Sequence, residues 1–133
     1  MRLLAFLLLL AASAAAGAQV VYHMSEGNEQ ASRALQYLRN HLEADPDAKI
    51  VVVGHAAGVD FLVKGAKTAK GNEYRDAVAD LQLAGVRFSV CEITLRERGM
   101  KREQFLPEVE FVPSGVAEIS RLQQREGYAY LKP

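Results

Sequence analysis

Residues 50–53 read Ile-Val-Val-Val and are closed at once by Gly54. β-branched side chains favour a strand, and a strand with one wet face would alternate apolar with polar residues. This run has no alternation, so it must be covered on both faces. Such a strand belongs in the interior of a parallel sheet with helices packed above and below.

The remainder of the chain agrees with that placement. Gln19 to His23 is a short β-branched and aromatic strand, followed by turn residues Ser25 to Asn28, with Asn28 expected as the helix N-cap. Ala31, Ala34, Leu35, Leu38 and Leu42 then recur at helical spacing until Asp45-Pro46-Asp47 stops the helix. After the second strand, Ala57 to Ala66 predicts a short helical turn and Lys67 to Asn72 an exposed loop. A helix from about Glu73 turns Ala77, Val78, Leu81 and Ala84 inward and ends at Gly85. Val86, Phe88 and Val90 alternate into Cys91, and Glu92 to Arg98 is a short helix closed by Gly99. Val109 to Val112 is a fourth strand. Ser114 caps a helix with Val116, Ile119 and Leu122 inward, and Tyr128 to Leu131 is a fifth strand. Strand–helix alternation of this kind predicts an α/β fold, a three-layer α/β/α sandwich around a mostly parallel five-stranded sheet.

The amino terminus stands apart. Met1-Arg2 is a positive start, Leu3 to Leu10 an apolar run, and Ala16-Gly17-Ala18 a small-residue cleavage pattern. This is the layout of a secretory signal peptide over residues 1–18, with the mature domain at 19–133. The apolar run is shorter than the ~20 residues of a spanning helix, and no basic stop-transfer cluster follows. The expected location is the periplasm, with no membrane contact after cleavage.

The 16 basic residues are matched by 16 acidic ones and interspersed with them, and removal of Arg2 tips the balance slightly acidic. Nucleic acid and anionic membranes are therefore poor partners, and a chain without tryptophan offers little base-stacking surface. Gly54-His55-Ala56-Ala57-Gly58 lacks both the GxGxxG and the P-loop spacing, so its glycines read as a tight turn after a buried strand. No motif implies a cofactor.

Candidate chemistry lies at strand ends, because open parallel sheets form their sites beyond the carboxyl ends of the strands. His23 ends the first strand, His55 follows the second, and Cys91 ends the third. If those strands are neighbours, all three residues share one edge. A single cysteine cannot form a disulfide within its own chain, so Cys91 is buried packing, paired with another molecule, or a reactive thiol. The helix that starts after it favours the thiolate, whereas Glu92 beside it is expected to raise the thiol pKa. His23 and His55 could bind an anion or assist proton transfer. No His/Cys spacing suggests a metal site, and His41, in the last turn of the first helix, reads as structural.

Three stretches, "AKIVVVGHAAGVDFLVKGA", "GVRFSVCEITLRERGM" and "VEFVPSGVAEISRLQQREGYAYLKP", resemble the exported branch of the DsrE/DsrF-like proteins. The most specific pieces are C-x-x-T-L before Gly99 and P-S-G-V-A-E-I from Pro113. The resemblance implies a five-stranded α/β/α domain that assembles as a homo-oligomer, a trimer or hexamer. It also implies a sulfur carrier or sulfurtransferase in which Cys91 holds a persulfide, exchanged with a sulfur donor or acceptor protein. The competing reading is a non-catalytic oligomeric module that binds a small ligand or a partner at the same strand ends.

Overall fold

The computed structural model describes residues 16–133, so residues 1–15 of the predicted signal peptide lie outside the described residues. Five strands form one sheet: β1 (Gln19–Met24), β2 (Lys49–Gly54), β3 (Arg87–Cys91), β4 (Glu110–Val112) and β5 (Ala129–Leu131). Their spatial order is β4-β3-β2-β1-β5, and every neighbouring pair is parallel. The helices are α1 (Asn28–Ala44), α2 (Tyr74–Leu83), α3 (Glu92–Arg98) and α4 (Gly115–Glu126), with a 3-10 turn at Ala56–Leu62.

The unbroken apolar run lies at the centre of the sheet, as its lack of alternation requires. Ile50 and Val52 face a large core that includes Tyr22, Leu38, Phe61, Tyr74 and Phe88. Val51 and Val53 face a smaller core closed by Ile119 and Leu122 of α4. Full burial of each such side chain contributes ~1.5–3 kcal/mol relative to exposure, so the two faces together anchor β2 in register.

The chain order explains where a crevice must open. The residues after β1, β2 and β3 supply the large core, with Leu95 of α3 among them, whereas the helix after β4 packs on the other face. The connections leaving β3 and β4 therefore part to opposite sides of the sheet. In open α/β sheets such a divergence leaves a gap at the carboxyl ends of the two strands. Cys91 and Gly115 stand on either side of it.

Three local expectations change. Asn28 is not the cap of α1: Gly27 holds that position, and Gln30 reaches back so that its Oε1 accepts the N–H groups of Ser25 and Glu26. Ala84 is exposed, because α2 ends at Leu83 and position 84 already belongs to the cap. Val116 is exposed rather than inward. With Ser114 as the cap, accepting the N–H of Ala117, the inward stripe is Gly115, Ile119 and Leu122, which is i, i+4, i+7 spacing.

The glycines of the Gly54–Gly58 stretch serve close backbone approach. A β-carbon on Gly58 would stand 2.2 Å from the Met24 carbonyl oxygen, and one on Gly54 would stand 2.7 Å from that of Gly58. This is tight-turn packing, not a phosphate cradle.

Candidate functional site

Because β1, β2 and β3 are adjacent, the three singled-out residues do share one edge. Cys91 is the last residue of β3 and the N-cap of α3, with 5% of its surface exposed. It lines a cavity of about 160 Å³ together with His55, Ala56, Ile93, Thr94, Glu97, Ser114 and Val116. His55 follows β2 and reaches the same cavity, while His23, in β1, meets His55.

Two helix starts converge on the thiol. One belongs to α3, whose first turn presents the N–H groups of Ile93 and Thr94. The other belongs to α4, whose Gly115 N–H faces Cys91 across the crevice. Burial pushes the Cys91 thiol up, but the N–H groups of Gly115 and Thr94, the Thr94 hydroxyl and the Ile93 N–H together outweigh it. The net result is a thiol held below its ordinary range. Thr94 is bound from both sides, since its Oγ1 accepts the N–H of Ala56 at 2.9 Å and its hydroxyl donates to the Cys91 sulfur.

Glu92 does not play its expected part. Its carboxylate is engaged by the Arg102 guanidinium, and the influence that opposes ionisation of Cys91 is burial.

The loop carrying His55 is fixed. Ala56 has φ 49°, the left-handed region that disfavours a β-carbon. Arg98 clamps it by donating to the Ala56 carbonyl at 3.0 Å and to Asp60 Oδ1 at 2.7 Å. Strain of this kind persists only where the surroundings over-determine it, and here it sets the direction of the residue beside it, His55.

The histidine pair is joined directly, His23 Nε2 to His55 Nε2 at 2.7 Å. The ring planes differ by 25° and the centroids are 4.9 Å apart, so the rings meet edge to edge nearly in one plane, as an N–H···N bond requires. Tyr130 of β5 reaches His23 Nδ1 at 2.5 Å. Burial lowers the His23 pKa, and His55 and Lys132 lower it further; burial and then Lys132 lower that of His55. His41 stands apart, with Nδ1 2.9 Å from the hydroxyl of Tyr22. Among the described residues, no three His, Cys, Asp or Glu side chains converge as a metal set.

A larger cleft, about 740 Å³, lies between the start of α1 and the 67–72 loop, lined by Asn28, Glu29, Ser32, Thr68, Ala69, Lys70 and Asn72. It contains neither the thiol nor an imidazole.

The sequence matches the model of the DsrE/DsrF-like family over residues 7–133. The chain belongs to the DsrE/DsrF-like family. Among solved structures it is similar to MTH1491, a protein of unknown function from Methanobacterium thermoautotrophicum. The two share 35% identity with a TM-score of 0.78, over 87% of this chain and 99% of that one. It is also similar in fold to the ychN protein from E. coli, at 15% identity and a TM-score of 0.70, over 90% of this chain and all of that one. No curated protein matches the chain.

Within this DsrE/DsrF-like domain, sequence reasoning missed four contributors: Thr94, Gly115, Tyr130 and Lys132. Thr94 had a usable signal, because it stands three residues after the N-cap Cys91, where a side chain can reach back to the cap. Gly115 at the start of α4, Tyr130 in β5 and Lys132 after it come from elements whose neighbours are decided by the sheet order.

Proposed function

We propose that this protein is an exported, periplasmic member of its family in which Cys91 accepts sulfane sulfur and passes it on as a persulfide. The observation that carries this reading is the convergence of the Gly115, Ile93 and Thr94 N–H groups on a lone thiol that opens into a cavity shared with an imidazole. A thiolate is the nucleophile in sulfur exchange, and helix starts favour it. The Cys91 thiolate attacks the outer sulfur of a polysulfide or of a donor persulfide. A new S–S bond forms on Cys91, the donor's S–S bond breaks, and the donor leaves as a thiolate. No external oxidant or reductant is consumed. The same N–H groups then surround the sulfurs of the anionic persulfide. The second reading, a binding module without turnover, is favoured by the near-complete burial of Cys91.

Intact mass spectrometry after exposure to polysulfide separates the two. Gain of one sulfur atom by the wild type and none by Cys91→Ser is the expected result. A wild-type protein that gains nothing until denatured would leave the thiol as packing. Export is tested by amino-terminal sequencing of periplasmic protein, expected to begin at Gln19.

A further inference from the structure

Tyr130, His23 and His55 come from three adjacent strands or strand ends, in the sheet order β5-β1-β2, and form an unbroken hydrogen-bonded row. One end of the row is Tyr130, 45% exposed to solvent. The other end is His55, a residue that lines the Cys91 cavity and whose ring Nδ1 has no hydrogen-bond partner among the described residues. We propose that this row is a proton relay between solvent and the Cys91 cavity, in which Tyr130 and His23 act as positioning residues through His55. What the proton serves rests on the sulfur-acceptor reading: the departing donor thiolate, or the thiol that gives up its proton before attack.

The bonding permits two arrangements. A neutral imidazole carries one N–H and one bare nitrogen, so two rings in contact through Nε2 must hold a single proton between them. In the first arrangement Tyr130 donates to His23 Nδ1, His23 Nε2–H donates to His55 Nε2, and His55 Nδ1 carries a proton. In the second, His55 Nε2–H donates to His23 Nε2, His23 Nδ1–H donates to the Tyr130 oxygen, and His55 Nδ1 is bare. Passing from the first to the second releases one proton at His55 Nδ1. The Tyr130 proton moves to His23, that of His23 moves to His55, and Tyr130 takes a replacement from water. Every step exchanges one N–H or O–H bond for another, and no ring becomes charged.

The surroundings favour this neutral exchange. Burial and the ammonium of Lys132 both oppose an imidazolium at either ring, and Lys132 is itself held by Glu26 at 3.2 Å. Gln30, fully buried, donates from Nε2 to the carbonyls of both His23 and Pro133, which ties the chain end bearing Tyr130 and Lys132 to β1. The strained, clamped Ala56 fixes the other end of the row.

The test is Tyr130→Phe, which removes one exposed hydroxyl. Long-range ¹⁵N NMR of the imidazoles reads the tautomers without reference to sulfur chemistry. The expected result is a changed tautomer balance at His55, a ring that Tyr130 does not touch, together with an unchanged melting temperature. General acid–base assistance is worth about 10²–10⁴-fold, and loss of one link of the relay should slow sulfur uptake at neutral pH by roughly tenfold. A His55 tautomer indifferent to Tyr130→Phe overturns the relay, as does a wild-type rate of sulfur uptake in the variant. If the wild-type protein takes up no sulfur, the proposed function falls, and the relay stands or falls on the tautomer measurement alone.

Discussion

A β-carbon on Gly115 would stand 3.2 Å from the β-carbon of Cys91 and 3.3 Å from that of His55. The start of α4 therefore approaches the thiol more closely than an ordinary side-chain contact. That approach brings a second helix start to bear on the sulfur, in addition to the one that Cys91 itself caps.

Gly115→Val should disturb the site more than the fold. The added atoms must push Cys91 and His55 apart, and overpacking of this kind costs ~1–3 kcal/mol. With the Gly115 N–H withdrawn, the thiol loses the first of the hydrogen bonds that offset burial and should rise toward its ordinary range. A pH titration of thiolate absorbance reads the shift directly. An unchanged thiol pKa would mean that α4 contributes nothing to it.

The histidines predict acid sensitivity. Both have folded pKa values below the ordinary 6.5, owing first to burial. The unfolded chain thus binds protons before the folded one as pH falls, and linkage draws the equilibrium toward unfolding. Their contribution is fully present above about pH 6.5 and is lost as pH falls through the folded values. Melting temperatures should fall more steeply below that pH in the wild type than in a His23→Gln, His55→Gln double variant. Parallel curves for the two proteins would count against the shifts.

Val52 is wholly buried at the centre of the sheet. Val52→Asp places a carboxylate among apolar side chains with no partner, at a cost of several kcal/mol against a typical total stability of ~5–15 kcal/mol. The variant should be unfolded or insoluble. Circular dichroism showing a native melting transition would contradict the central placement of β2.

Self-assembly is the expected use of the exposed apolar side chains, with Leu83 89% and Val116 60% exposed. Covering them in an oligomer stabilises a small domain. Light scattering at micromolar concentration should give a particle well above the 14.6 kDa of the single chain. A monomer would refute assembly.

The parallel α/β/α architecture was legible along the chain because burial on both faces removes alternation, and residues 50–53 show that directly. The same holds for Ser114 as a cap and for Gly99 ending its helix, since these are local backbone requirements. His23, His55 and Cys91 could be assigned to strand ends for the same reason. Their companions could not. Gly115 lies against Cys91 because α4 crosses to the opposite face from α3, and Tyr130 reaches His23 because β5 returns beside β1. Along the chain Glu92 reads as a neighbour that opposes the thiolate, but Arg102, ten residues on, holds its carboxylate. Local pattern reports which face of an element is buried and where the element ends. Which elements stand side by side is set by the packing of the whole sheet, and the electrostatics of the thiol and the histidine row follow from those long-range neighbours.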